Sequence, residues 1–469
     1  MRRFFLIAGA LAVLMIVPQT TVWAQITSPK QPPKSTSSVP TMGDTTKQSI
    51  RYGQEFSGGS GLQGGRTIYA RPFVKAPKTI VGGYIDFTYS KCDKGSREGK
   101  ARDCDDPGSF DQERLVPFFY SQITDRLSMA AEIEFEHGGT NNNQSDGDVK
   151  VEFATMDYRF NDAVNLRAGI ILSPMGRFNL IHDSPLNDLP LRPMVSRAIL
   201  PSTLAESGIG FFGTFYPTAL SKIDYELYIV NGFAGSGGSN AGFISEGSGM
   251  RSARGSQQKD INENKAILAR VSFSPMLGIE VAGSVHHGKW DREDRHDLTL
   301  MAIDGALQRG PFEITGEAAW ADIETPCGDV QCVVIAEAGT ETFQSAFDDA
   351  TRRRIVLAED TQRVIPAGMF GYYVQLNYHF MPEGLTRAMP SYFGQNSTFT
   401  GILRYGRSDT NTDSDLNPND EERLTLGLNF RPVEDSVIKF AYTWNTKGVN
   451  NPAGTESPDG WQFNMSSYF

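Results

Sequence analysis

Between residues 173 and 213, charged and titratable side chains of both signs alternate with prolines. They are Arg177, His182, Asp183, Asp188, Arg192, Arg197 and Glu206, with Pro174, Pro185, Pro190, Pro193 and Pro201 between them, and Arg167 lies just ahead. Fixed charges facing across a narrow opening with low-dielectric walls set ion preference and orient dipolar solutes. That is electrostatic selection rather than bond-making. The same groups could instead tie the stretch to itself and to whatever surrounds it. The chain has six histidines and no G-x-S-x-G neighbourhood, so an enzyme is not expected. His286, His287, Asp291, Glu293, Asp294, His296 and Asp297 gather around one stretch with metal-ligand side chains, but their spacing fits no recognised site. Asp409, Asn411, Asp413, Asp415 and Asn417 alternate like calcium ligands. An EF-hand would need Gly and Glu where Ser414 and Asp420 stand. Neither a metal nor a cofactor is expected, and a polar surface explains both clusters.

The elements that hold these charges follow from the alternation around them. In 127–137, Leu127, Met129, Ala131, Ile133 and Phe135 share one parity, while Ser128, Ala130, Glu132, Glu134 and Glu136 share the other. Period two is the strand signal. Three glutamates on one side of a membrane strand are tolerable only if that side faces water. Stretch 223–230 repeats the pattern, with Asp224 and Glu226 on its polar side. Sixteen such segments run from Ile80 to Phe469. Short links (near residues 124, 161, 217–221, 275–277 and 431–435) alternate with long polar ones, the layout of an outer-membrane barrel with short periplasmic turns and long external loops. The fold expected is all-β: a transmembrane antiparallel β-barrel of about 16 strands. Its water-facing wall would carry Glu132, Glu134, Glu136, Arg159, Asp224, Glu226, Arg270 and Arg404. Glu313, Glu317, Arg423 and Lys439 can share that face. The link 380–396 is long for a periplasmic turn.

Composition and termini agree. Arg2 and Arg3 precede the apolar stretch 4–17, and Val22-Trp23-Ala24 offers a cleavage site, so 1–24 reads as a signal peptide. No later run reaches the roughly 18 apolar residues that a membrane helix needs. Residues 25–77 are rich in Pro, Ser and Gly and read as a periplasmic arm or linker, leaving 78–469 as the barrel. The formal charge of −11 argues against nucleic-acid binding. Four cysteines in an exported chain favour disulfides, and their spacing suggests Cys92 with Cys104 and Cys327 with Cys332.

Two stretches carry a resemblance. The terminal GWQFNMSSYF, aromatic and alternating to a final Phe469, resembles the last strand of outer-membrane β-barrels, which the assembly machinery recognises. RAGIILSPMGRFN, DLPLRP and ILPSTLAESGIGFFG, within roughly 164–213, resemble the phosphate-selective porins of the O and P type. By strand count this is the third external loop, which in general porins folds into the lumen and narrows it. The resemblance implies a water-filled channel for passive diffusion of ions and small hydrophilic solutes, partnered by outer-membrane lipid and lipopolysaccharide, and assembled as a homotrimer. Arg167, Arg177, His182, Asp183, Asp188, Arg192, Arg197 and Glu206 would then line the constriction. Anion pores use Arg and Lys ladders. The mixed walls here imply instead weak selectivity or a mild cation preference. A structural or adhesive barrel with ligand-binding external loops is the alternative.

Overall fold

The computed structural model describes residues 79–93, 104–105, 107–138, 147–235, 244–255, 260–328, 331–337, 340–345, 362–394, 396–414, 417, 419–449 and 457–469. The expected signal peptide and arm lie outside the described residues.

The first half of the chain forms β1 (Thr79–Cys92), β2 (Ser109–Gln122), β3 (Leu127–Glu136), β4 (Val149–Arg159), β5 (Asn165–Leu172), β6 (Ala205–Phe215), β7 (Lys222–Val230) and β8 (Ala266–Met276). Then come β9 (Ile279–Lys289), β10 (Asp297–Arg309), β11 (Phe312–Ile323), β12 (Cys332–Glu337), β13 (Thr340–Ser345) and β14 (Gln362–Ile365). The last five are β15 (Gly368–Phe380), β16 (Thr398–Asp409), β17 (Glu421–Val433), β18 (Ser436–Lys447) and β19 (Gly460–Tyr468). Strands β1 to β11 and β15 to β19 close into one sixteen-stranded antiparallel barrel, in which β19 returns to pair with β1.

Closure is made at both ends of the seam. Tyr84 opposes Tyr468, and Cys92 opposes Gly460. Beyond the strand itself, Phe469 donates its N–H to the Gly83 carbonyl at 2.9 Å and accepts the Gly83 N–H at 3.2 Å. A Cβ at Gly83 would stand 2.4 Å from the Val116 carbonyl oxygen and 2.7 Å from the Phe469 ring, so only glycine lets the two edges meet here. At the other end, Cys104 is disulfide-bonded to Cys92, and its sulfur lies 3.8 Å from the Asp459 carbonyl ahead of β19. Cys327 and Cys332 form the second disulfide.

The two faces of the sheet have opposite chemistry. Ile209, Phe211, Leu227, Ile229, Val271, Leu376, Leu428, Phe440, Trp461 and Met465 are exposed on the outside. Asp86, Glu134, Asp157, Arg270, Lys439 and Asn464 are buried on the inside. An apolar exterior on a closed sheet is what a bilayer requires, because each barrel strand pairs on both sides and no edge is left open.

Each of the sixteen expected segments is a barrel strand. Four particulars differ. β10 runs on to Arg309, where the turn glycine Gly310 (φ 59°) ends it. β6 begins at Ala205, so Glu206 belongs to a strand and not to the preceding link; Leu172 pairs with Ala205 and carries the ladder that far. The link 324–367 holds a separate three-stranded sheet, β13-β12-β14, too short and irregular to announce itself by periodicity. The long link 381–397 contains α1 (Glu383–Ala388), and beyond it Phe393 packs on Phe399 and Phe430 at 6.0 and 5.4 Å. That aromatic clasp folds the extra length against the barrel's short-turn end.

The inner wall is not uniformly polar, contrary to the simple alternation rule. Towards the long-link end of β7 to β11 it presents Tyr228, Val230, Leu268, Leu298, Leu300, Ala302, Ala319 and Ala321. Met175, Val195, Ile199, Leu200, Phe233, Ile244, Met250 and Trp290 from the links complete one buried apolar cluster with them. Inward side chains can be apolar there because they meet folded chain instead of water.

Candidate functional site

The link between β5 and β6 is built from short turns. Two 3-10 turns, Phe178–Ile181 and Ser184–Leu186, are followed by a single helical turn, Val195–Ala198. Prolines at 185, 190, 193 and 201 forbid a longer helix. Besides the bonds within its own turns, this chain hydrogen-bonds strand after strand. The Arg177 and Phe178 N–H groups donate to Glu317 on β11 at 2.6 and 2.9 Å. His182 Nε2 lies 3.1 Å from Glu152 on β4. Asp183 accepts the Tyr468 hydroxyl of β19 at 2.7 Å. Asp188 takes Asn377 of β15 at 2.8 Å and Asn429 of β17 at 3.1 Å, and lies 3.4 Å from Arg431. The Ser184 carbonyl accepts Lys439 of β18 at 2.6 Å, and the Leu191 carbonyl accepts Arg404 of β16 at 2.7 Å. Partners on β4, β11 and β15 to β19 are spread around the closed sheet.

The charged residues that composition singled out separate into three groups. Wall pairs neutralise one another: the Arg167 guanidinium holds Asp157 through two bonds of 2.7 and 2.6 Å and lies over Phe212, and Arg270 grips Asp304 at 2.5 and 2.7 Å. Glu226 accepts the Tyr228 hydroxyl and Asp224 the Thr214 hydroxyl. Glu206, from β6, accepts Ser173 and meets His286 at 3.0 Å. Arg159 pairs with Asp162 at a short turn.

A second group is an acid-rich patch. Glu134 on β3 is reached by Arg114 at 2.8 Å and by Lys150 at 2.5 Å. Glu136 shares Lys150 at 3.1 Å, and Asp86 shares Arg114 at 3.1 Å. Glu132 and Glu152 are buried beside them. His182 sits against this patch. Burial alone would lower its pKa, but the Glu152 carboxylate outweighs that, so the ring is held protonated above its ordinary range.

The third group is basic. Arg192 donates to the Ser202 carbonyl at 2.9 Å, with Arg251 and Arg254 alongside from another link. Arg197 stands on the nearby helical turn.

Sequence reasoning missed Arg114, Lys150 and Glu152. Strand parity could have placed Arg114 inward, but Lys150 and Glu152 share the parity of the outward Met156 and Tyr158, and only a register shift at Glu152 turns them in. It also missed Arg251 and Arg254, which lie in a Gly- and Ser-rich link with no periodicity to read. The side chains of metal-ligand type are engaged in hydrogen bonds of their own, and Asp291 also meets His296 at 3.3 Å. His286 and His287 lie on opposite faces of β9, bonded to Glu206 and Thr299. Asp291 is occupied by the N–H groups of Arg295 and His296. Asp409 accepts Asn411 and Asn417, and Arg407 binds Asp420; Asp415 lies outside the described residues.

No family model matches the chain. An uncharacterized protein of Aquifex aeolicus (strain VF5) is 28% identical over 280 residues, 59% of this chain and 58% of that one. The chain thus matches less than two thirds of that relative's length. Among solved structures, the Salmonella typhi OmpF complex with daunomycin superposes with a TM-score of 0.50 at 8% identity, covering 83% of this chain and 97% of that one. The outer-membrane channel DcaP of Acinetobacter baumannii gives 0.47 at 11% identity over 83% and 97%. The anion-selective porin of Comamonas acidovorans gives 0.45 at 10% over 83% and 99%. At these identities the likeness concerns fold alone: the chain is a closed sixteen-stranded antiparallel barrel, the fold it shares with OmpF.

Proposed function

We propose that this barrel is a porin, a passive channel through which ions and small hydrophilic solutes cross the bacterial outer membrane. The reading draws most on one observation: the link 173–204 hydrogen-bonds inward-facing groups of β4, β11 and β15 to β19. A chain that touches strands around a closed sheet must run inside it, and a chain inside a water-filled barrel narrows the passage. Passage needs no covalent chemistry and no energy coupling. Of the expected constriction set, Arg167 and Glu206 act as wall residues locked in pairs, whereas His182, Asp183, Asp188 and Arg192 tie down or edge the narrowing.

Residues 1–24 serve as the export signal and 25–77 as a periplasmic arm. Lipid and lipopolysaccharide surround the apolar exterior, and a homotrimer is the assembly proposed. Selectivity between ions is weak, with a mild cation preference, because carboxylates stand against inward cations such as Arg167, Arg270, Arg114 and Lys150. Planar-bilayer recordings test the reading: single-channel conductance with a small reversal potential in a salt gradient supports it. A folded protein that never conducts would leave the other reading, a barrel whose links bind a partner, which the apolar packing inside β7 to β11 favours.

A further inference from the structure

Lys439 on β18 points into the barrel and is only 1% exposed. Among the described residues, no carboxylate lies within ion-pair distance of its nitrogen, which instead donates to the Ser184 carbonyl at 2.6 Å and hydroxyl at 2.9 Å. Arg167, Arg270, Arg114 and Lys150, by contrast, each meet a carboxylate. A buried ammonium without a counter-charge is costly, and a carbonyl dipole orients it without cancelling its charge. The site therefore favours a state of Lys439 that carries no charge.

A reaction partner stands directly across the ladder. Lys439 opposes Asn464 on β19, with both side chains turned inward, and directly opposed Cβ atoms lie about 4.5–5.5 Å apart. The buried Asn464 amide is pinned from its other side, where Nδ2 donates to the Asp86 carboxylate and to the Thr88 hydroxyl, the latter at 2.9 Å, both on β1. Its Oδ1 lies 3.5 Å from the Ser184 hydroxyl, the same group that accepts Lys439. Arg114 holds Asp86 in place at 3.1 Å. An amine, a carboxamide and a carboxylate touching the carboxamide nitrogen are thus gathered on three consecutive strands, β18, β19 and β1, away from water.

We propose that Lys439 and Asn464 join as an isopeptide, a covalent rung between β18 and β19 that the folded barrel forms by itself with Asp86 as proton carrier. The free amine of Lys439 attacks the Asn464 Cγ, forming the Nζ–Cγ bond and pushing an electron pair onto Oδ1, which the Ser184 hydroxyl faces. Both nitrogens then sit on one carbon, and Asp86, already bonded to Nδ2, passes a proton from Nζ to Nδ2. The electron pair returns from Oδ1, the Cγ–Nδ2 bond breaks, and ammonia leaves. One amine and one carboxamide become one secondary amide and one ammonia, with no oxidant and no co-reactant. The remaining N–H of Lys439 still serves the Ser184 carbonyl, and the buried charge is gone. Because Asn464 also bonds β1, the rung locks the closing strand from both sides. The inference stands whether or not the barrel conducts.

The test is the intact mass and tryptic map of the full mature chain, extracted from outer membranes as the folded barrel and then denatured. The wild type is expected to be lighter by one ammonia, with Lys439 uncut by trypsin and its peptide joined to the peptide that holds Asn464. Cyclisation of a terminal Gln25 loses the same ammonia, so the joined peptide is the deciding readout. Lys439→Arg and Asn464→Ser, which keep polar groups at both places, give no joined peptide. Refolded from denaturant, Asp86→Asn joins about 100-fold more slowly than the wild type, within the range that a positioned acid–base group contributes. A folded, heat-modifiable wild type whose two peptides separate overturns the inference and leaves the porin reading intact. Unslowed joining in Asp86→Asn overturns the part given to Asp86.

Discussion

Glu317 on β11 and Phe178 on the link after β5 are joined by a 2.9 Å bond from the Phe178 N–H to the Glu317 carboxylate, whose same oxygen also takes the Arg177 N–H at 2.6 Å. Gly176, at φ 66°, lets the chain turn over this carboxylate, since a Cβ there would stand 2.6 Å from it. One wall side chain therefore receives two successive N–H groups of the link, next to the Gly176 N–H that goes to Ser284 on β9.

Replacing Glu317 with Ala removes two charge-assisted bonds, each worth about 1.5–3 kcal/mol. The link loosens while the barrel strands keep their pairing. Single-channel recordings are expected to show larger and noisier conductance from a protein whose heat-modifiability is unchanged. Glu317→Gln, which retains an acceptor oxygen, falls between. Unaltered current traces for Glu317→Ala would show that the link is held without this anchor.

At the seam, Gly83→Val puts a branched side chain where 2.4 Å separates a Cβ from the Val116 carbonyl oxygen. Closure of β1 against β19 then fails, and the measure is the fraction of protein that migrates as a compact, heat-modifiable species. That fraction is expected to collapse. Normal folding of Gly83→Val would contradict the close approach at this edge.

The opposite end of the seam is stapled. The Cys92–Cys104 disulfide closes a loop of sequence separation 12, worth about 2–4 kcal/mol by restricting the unfolded chain. Adding reductant or substituting C92S/C104S should lower the unfolding temperature without altering conductance at room temperature. A changed conductance would mean that the disulfide shapes the passage itself.

His182 provides a pH signature. Its folded pKa is raised above 6.5, burial opposing and Glu152 prevailing. The stabilisation from the protonated ring is therefore fully present below about pH 6.5 and is lost as pH rises through the higher folded value. Thermal stability measured from about pH 6 to about pH 9 should decline across that window in the wild type, and the decline should be absent in His182→Asn. A His182→Asn profile that still parallels the wild type would assign the slope to another group.

The barrel was legible because strands announce themselves one at a time. Leu127 to Glu136 alternates so regularly that its water-facing glutamates could be named from parity, and Trp461 to Phe469 needs an edge partner that only β1 supplies. Folded links announce nothing of the kind. Arg251 belongs with Arg192 because both donate to the Ser202 carbonyl, and no local period encodes that. Glu206 was assigned to a link because Ala205-Glu206-Ser207 is too small and polar to look like strand; its pairing comes from Ile171 and Leu172 opposite. Arg167 looked like a constriction charge, but the Asp157 beside it on β4 already neutralises it.

The greasy lining on the long-link side of β7 to β11 gives the cylinder two unlike halves. Trimming Leu298 or Leu300 there leaves a void, and the cell notices as lost abundance. Thr88, Thr443 and Gln462 across the barrel are buried too, but in hydrogen bonds rather than apolar contact. If the barrel conducts, the bore inferred from strand number overstates what can pass, because folded links fill that side.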